Sequence, residues 1–106
     1  MNEWSGGKLG YIHIEGMDQV SLDIFERDLY AAAAGKKGLI IDVRNNGGGC
    51  TTDRLLASIM APNHAMTQAR GQAENDRGFP VDRMFMAQYY WPINMLCNEK
   101  SFSNAE

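Results

Sequence analysis

The chain has 106 residues, a formal net charge of −3, 44% hydrophobic residues and 22% charged residues, which suits one small globular domain. No Lys/Arg cluster is present, so the charge pattern argues against nucleic-acid partners, and no apolar run reaches the roughly 18 to 20 residues that membrane insertion needs. The first residues lack the basic start and apolar middle of a signal peptide, which leaves a cytoplasmic or a periplasmic location open.

The first 43 residues predict a β-α-β unit. Residues 8–14 carry four apolar side chains between flanking glycines and predict a strand: Leu9, Tyr11, Ile12 and Ile14. Ser21 is the predicted N-cap of a helix that Gly35 ends, and its apolar positions follow helical spacing: Leu22, Phe25, Leu29 and Ala32. Residues 38–43 contain an unbroken apolar run, which is typical of a parallel strand buried on both faces.

The rest of the chain predicts one further helix and one further strand. The helix begins near Thr51 or Thr52 and is expected to bury four side chains before Pro62: Leu55, Leu56, Ile59 and Met60. Residues 62–91 predict an irregular excursion with one short helix over residues 83–89. Residues 92–97 predict a short strand.

Two turns that follow the buried strands carry the chemistry. In residues 42–49, three successive glycines let the backbone approach a ligand, and the helix N-terminus beyond them favours negative charge. The glycines fit neither the dinucleotide pattern nor the Walker loop. In residues 98–106, the Ser103 hydroxyl is either a nucleophile or an N-cap, and Ser103 with Glu106 also matches a capping box. If the strands are neighbours, the turns bring backbone N–H groups to a serine, as acyl transfer requires.

The remaining reactive side chains suggest no cofactor. Cys50 and Cys97 lack the spacing of a metal site and are expected to be buried free thiols. His13 is expected to be a packed or hydrogen-bonded core histidine, His64 lies in the loop after Pro62, and Lys100 is expected to be a solvated turn residue. No metal ligand cluster is evident in the sequence.

The two turns together resemble a known peptidase family. The pattern D-x-R-x-N-x-G-G, followed later by N-x-x-S-x-S-x-x-E, is similar to that of the tail-specific (C-terminal processing) and tricorn-core serine peptidases. The opening strand, residues 5–14, also resembles the tricorn type. The resemblance covers most of residues 5–60 and 92–106 and leaves the excursion unmatched.

This resemblance implies an α/β fold with a partial Clp-protease/crotonase-like core, and hydrolysis of peptide or protein substrates through a serine acyl-enzyme. It makes Ser103 the nucleophile. The oxyanion donors would be the N–H of Gly48, or of its neighbour Gly49, and the N–H of Asn104. The motif residues that would hold the two turns in shape are Asp42, Arg44, Asn46, Asn98 and Ser101.

The general base departs from the family pattern. The family uses a lysine downstream of the serine or a histidine upstream of this core, and neither matches a position in this sequence. We therefore expect residues 1–106 to be a single incomplete peptidase core domain, inactive in this form and self-associating as a homo-oligomer. The alternative is a noncatalytic ligand- or peptide-binding module on the same fold, with an apolar pocket lined by aromatic side chains: Phe79, Phe85, Tyr89, Tyr90 and Trp91.

Overall fold

The computed structural model describes residues 2–60, 66–67, 70–73, 79–80, 89 and 91–106. Its centre is a three-stranded parallel sheet in the order β1-β2-β5, formed by β1 (Leu9–His13), β2 (Gly38–Asp42) and β5 (Ile93–Leu96). A four-residue helix, α1 (Asn2–Ser5), precedes the sheet. The predicted α/β class and the β-α-β unit are therefore confirmed.

The middle strand β2 fixes the register of the sheet. His13 of β1 lies opposite Asp42, and Leu96 of β5 lies opposite the same residue on the other side. Four of the five β2 residues are buried, as expected of a strand covered on both faces. Because both neighbours run parallel to β2, all three strands end at the same edge of the sheet.

Helix α2 (Gln19–Ala33) covers the sheet with Leu22, Phe25 and Leu29, each 1% exposed. Fully burying such a side chain contributes about 1.5–3 kcal/mol. The predicted N-cap, Ser21, is wrong: Asp18 is the cap residue, and its Oδ1 accepts from the Ser21 N–H at 2.7 Å. Asp18 has extended backbone before the first helical residue, whereas Ser21 already lies inside the helix.

Helix α3 (Thr52–Met60) follows the turn that contains the three successive glycines, residues 42–49, which we call the glycine turn. Leu55 and Ser58 are buried and Ile59 packs against the core, but Met60 is 70% exposed, so the prediction that it enters the core is wrong. Met60 is the last residue of the helix. Among the described residues, the core joins these helices to the sheet through twelve buried apolar side chains: Ile12, Ile14, Met17, Leu22, Phe25, Leu29, Leu39, Ile41, Val43, Leu55, Tyr89 and Ala105.

The predicted excursion lies largely outside the described residues, as does the helix predicted over residues 83–89 apart from Tyr89. Its described part includes a two-stranded antiparallel ribbon of β3 (Met66–Thr67) and β4 (Phe79–Pro80). Tyr89 is buried and its N–H donates to the Ser58 carbonyl at 3.0 Å. Among the described residues, no helix is long and apolar enough to cross a membrane.

The cap assignment predicts different costs for two substitutions at the start of α2. Asp18→Ala removes the acceptor for the Ser21 N–H and should lower the free energy of unfolding by about 1 kcal/mol. Ser21→Ala leaves that hydrogen bond intact and should change the free energy by less than about 0.5 kcal/mol. Urea unfolding of both variants measures the difference. Equal losses, or a larger loss in Ser21→Ala, would contradict the assignment.

Candidate active site

The glycine turn and the turn that contains Ser103, residues 98–106, which we call the serine turn, begin side by side at one edge of the sheet. Because β2 and β5 are parallel neighbours, residues 43–50 and 97–106 begin at the same edge. The Val43 N–H donates to the Leu96 carbonyl at 2.8 Å and carries the pairing one residue beyond the strands. The juxtaposition expected from the sequence is therefore present.

Ser101 and Asn98 fasten the second turn to the first. The Ser101 hydroxyl donates to the Val43 carbonyl at 2.8 Å and accepts from the Asn98 N–H at 3.1 Å. The Asn98 side chain accepts from the Asn45 N–H at 3.0 Å and donates to the Asn45 side chain at 3.1 Å. These hydrogen bonds join the second turn to the first at several points.

Asn46 lies beneath both turns with 0% exposure. Its Nδ2 donates to the Ile14 carbonyl at 2.9 Å, and its Oδ1 accepts from the Gly48 N–H at 2.9 Å. Its backbone carbonyl accepts from the Phe102 N–H at 3.0 Å. One residue therefore connects the end of β1, the glycine turn and the serine turn.

Gly48 and Gly49 let the two turns approach more closely than residues with side chains could. Gly48 has a φ of +90°, and a Cβ built there would lie 2.8 Å from the Ser103 Cβ and 2.6 Å from the Phe102 carbonyl oxygen. A Cβ at Gly49, with a φ of +154°, would overlap the Met17 carbonyl. Glycine at both positions is needed for backbone conformation and for space.

Ser103 has left-handed backbone, with a φ of +57°. Non-glycine residues rarely adopt this conformation, and such strain is concentrated at functional sites. Ser103 opens a short 3-10 turn (Ser103–Ala105), but the cap position is Phe102 and no side chain caps the turn, so the N-cap alternative for Ser103 is not what the structure has. The exposed Ser103 hydroxyl has no hydrogen-bond partner among the described residues.

Asn104 connects the serine turn to the glycine turn and to α3. Its Nδ2 donates to the Gly49 carbonyl at 2.7 Å, and its own carbonyl accepts from the Thr52 hydroxyl at 2.7 Å. The sequence did not indicate these contacts, because they join residues more than fifty positions apart and no local pattern encodes them. Within the described part of the chain, the N–H groups of Gly49 and Asn104 have no acceptor, whereas the Gly48 N–H donates to Asn46.

Asp42 and Arg44 form an ion pair at the start of the first turn. The buried Asp42 carboxylate accepts from Arg44 Nε at 2.9 Å and Nη2 at 2.6 Å, from the Arg44 N–H at 3.0 Å and from the Tyr11 hydroxyl at 2.6 Å. The hydrogen-bonded Arg44 guanidinium holds the pKa of Asp42 well below its usual range, although burial opposes this. The carboxylate therefore stays ionised and fixes the turn.

Several sequence predictions about reactive side chains are wrong. His13 is exposed rather than in the core, because it is the last residue of β1 and points away from the core face. The hydrogen-bonded alternative is present, since its Nε2 pairs with the Arg44 carbonyl at 3.3 Å. Cys50 and Cys97 are exposed free thiols rather than buried ones, because both lie in turns beyond strand ends. His64 lies outside the described residues. Among those that are described, no group of three or more His, Cys, Asp or Glu side chains could hold a metal ion.

Comparisons with known proteins agree with this arrangement. A family model described as peptidase family S41 matches residues 8–106. Over 59 residues, or 56% of this chain, the sequence is 41% identical to the Tricorn protease of Thermoplasma volcanium. Over 60 residues it is 40% identical to the Tricorn protease of Thermoplasma acidophilum. The matched segments make up 6% of the length of each of these relatives.

Solved structures show the same fold. A crystal structure of the tricorn protease superimposes with a TM-score of 0.66 and 28% identity, covering 98% of this chain and 9% of that one. A structure of a protein from Parabacteroides merdae, with a TM-score of 0.59 and 23% identity, covers 94% of this chain and 35% of that one, and shows the fold alone. These matches confirm the resemblance found in the sequence.

The left-handed backbone at Ser103 predicts an unusual order of stability. Ser103→Gly should have a free energy of unfolding about 1 kcal/mol higher than Ser103→Ala, because only glycine adopts a positive φ without penalty. The same pair at the helical residue Ser21 should show the opposite order by a similar amount, since glycine is unfavourable inside a helix. Urea unfolding of the four variants measures both differences. If Ser103→Ala equals or exceeds Ser103→Gly, the backbone at this position is not strained.

Proposed function

The chain belongs to peptidase family S41. We propose that it supplies the nucleophile of a serine endopeptidase site, and that Ser103 forms the acyl-enzyme. The observation that carries this proposal is the Ser103 turn: an exposed hydroxyl without a partner in the described part of the chain, on left-handed backbone packed against Gly48. A strained turn that exposes a hydroxyl is the geometry expected of a nucleophile, since a buried or capping serine would be hydrogen-bonded.

In the proposed reaction, the Ser103 oxygen attacks the carbonyl carbon of a peptide bond and its proton passes to a base. The tetrahedral intermediate collapses, the C–N bond breaks and the amine leaves with a proton. Water then attacks the acyl-enzyme ester and regenerates the serine. The substrate is a peptide or protein, a proposal that takes support from the Tricorn protease relatives.

The oxyanion of the intermediate would be stabilised by backbone N–H groups of the two turns. Gly49 and Asn104 are the best candidates, because both N–H groups lack an acceptor among the described residues. Gly48 would contribute if its N–H exchanged Asn46 for the oxyanion. Losing one such donor typically lowers the rate on the order of 10²- to 10³-fold.

The base is the missing component of the proposed machinery. No histidine, lysine or carboxylate of the described residues is hydrogen-bonded to the Ser103 hydroxyl. A serine is a weak nucleophile without an adjacent base. We therefore propose that residues 1–106 alone do not activate Ser103. Self-association of the chain stays a prediction.

Labelling with a fluorophosphonate serine probe tests the proposal. The protein in its cellular setting should be labelled, Ser103→Ala should abolish the label, and purified residues 1–106 by themselves should remain unlabelled. Ser21→Ala, which alters a serine on α2, is the matched control and should be labelled like the unmodified protein. Circular dichroism establishes that each variant is folded.

Two results of the labelling experiment would contradict the proposal. If the folded gene product is not labelled, or if Ser103→Ala keeps the label, Ser103 is not an activated nucleophile. A noncatalytic binding module on the same fold would then be the better account. Of the aromatic side chains suggested for its pocket, Tyr89 is buried and Trp91 is 58% exposed.

A further inference from the structure

We propose that a cavity beside β1 and β2, apart from Ser103, binds a carboxylate anion. The cavity has a volume of ≈ 290 Å³ and lies where the strands end, lined by Tyr11, His13, Asp42, Arg44, Asn45 and Asn98. Open α/β sheets commonly bind ligands at the carboxyl ends of their strands. The volume is at the lower limit for ligand pockets, so the ligand is a small acid or the end of a larger molecule.

The acceptors that line the cavity are already occupied. Both Asp42 oxygens accept two hydrogen bonds each, from the Arg44 N–H and Nε, and from Arg44 Nη2 and the Tyr11 hydroxyl. The Asn98 side-chain oxygen accepts from the backbone N–H groups of Asn45 and Lys100. These oxygens have little capacity left for a cation or for a ligand that only donates.

The side-chain groups at the cavity that still lack a partner among the described residues are hydrogen-bond donors. A guanidinium has five N–H groups. Asp42 accepts from two of those of Arg44, and the neighbouring Tyr11 oxygen accepts from at most one. At least two N–H groups of this half-exposed side chain therefore remain available to a ligand. The Asn45 side-chain oxygen accepts from Asn98, while its Nδ2 has no acceptor among the described residues. The exposed His13 ring lies at the same cavity.

A planar anion with two acceptor atoms satisfies this set of donors. Because Arg44 is ion-paired with Asp42, its remaining N–H groups rather than an uncompensated charge select the ligand, and carboxylates match the planar donor arrangement of a guanidinium. The shared chemistry is a carboxylate, whether of a free small acid or of the end of a peptide. The site does not depend on Ser103 acting as a nucleophile, because Ser103, Gly48 and Gly49 do not line this cavity.

A nuclear magnetic resonance titration with sodium acetate tests the site directly. In ¹⁵N-labelled residues 1–106, at ionic strength held constant with sodium chloride, we expect saturating shift changes at Arg44 Nε and at the Asn45 and Asn98 amides. Amides of α2 should not move. Shift changes that rise linearly without saturation, or that spread evenly over the chain, would overturn the proposal.

Variants establish which side chains bind the anion. Arg44→Gln should weaken acetate binding about tenfold or more, because it removes a charge-assisted donor. Since Arg44 also holds Asp42, Asn45→Gly is the second variant: it keeps the left-handed backbone (φ +63°), removes only the amide, and should weaken binding about threefold. Arg27→Gln removes the same charge from the exposed face of α2 and should leave binding unchanged. Equal weakening in Arg27→Gln and Arg44→Gln would overturn the proposal.

A third comparison identifies the source of the carboxylate. The probes are acetate, N-acetyl-dialanine with a free carboxylate, and the same peptide with a terminal amide. Tighter binding of the peptide acid than of acetate indicates a peptide end, and equal binding indicates a free acid; equal binding of the amide contradicts a carboxylate site. Ser103→Ala should bind acetate normally, so a failure here and a failure of the serine probe are separate results.

Discussion

The buried side chain of Asn46 is the contact on which the arrangement of the site depends. The side chain donates to the Ile14 carbonyl at the end of β1 and accepts from the Gly48 N–H. The backbone carbonyl of Asn46 accepts from the N–H of Phe102, the residue before the candidate nucleophile. A buried donor or acceptor left without a partner costs about 1–3 kcal/mol. Because the three segments share one fully buried residue, the position of the serine turn is coupled to that of the glycine turn.

The parallel register makes this coupling possible. Asp42 lies opposite both His13 and Leu96, so the turns after β2 and β5 begin together, and Ser101 joins them by donating to the Val43 carbonyl. These hydrogen-bonded residues lie next to Ser103, whose hydroxyl is exposed and has no partner among the described residues, and whose backbone is left-handed. Stability provided by the surrounding hydrogen bonds allows strain to persist at one residue, as is common in active sites.

Periodic patterns allowed the β-α-β unit and the last strand to be predicted, because apolar runs and glycine stops are local. The cap of α2 was wrong, since Ser21 and Asp18 are both good caps and only the backbone selects between them. The exposure of Cys50 and Met60 depends on where the core ends, which composition does not reveal. The motif predicted which turns meet, whereas the bond between Asn104 and Gly49 and the left-handed Ser103 depend on tertiary contacts.

Amide hydrogen exchange in Asn46→Ala is the most direct test of the claim that this side chain couples the turns. The substitution removes the acceptor of the Gly48 N–H but leaves the carbonyl that accepts from Phe102. The account predicts faster exchange at both Gly48 and Phe102, with Ile41 still protected and with neither amide affected by Asn94→Ala, a change at an exposed residue of β5. Faster exchange at Gly48 alone, with Phe102 unchanged, would show that the two turns are held independently and would contradict the account.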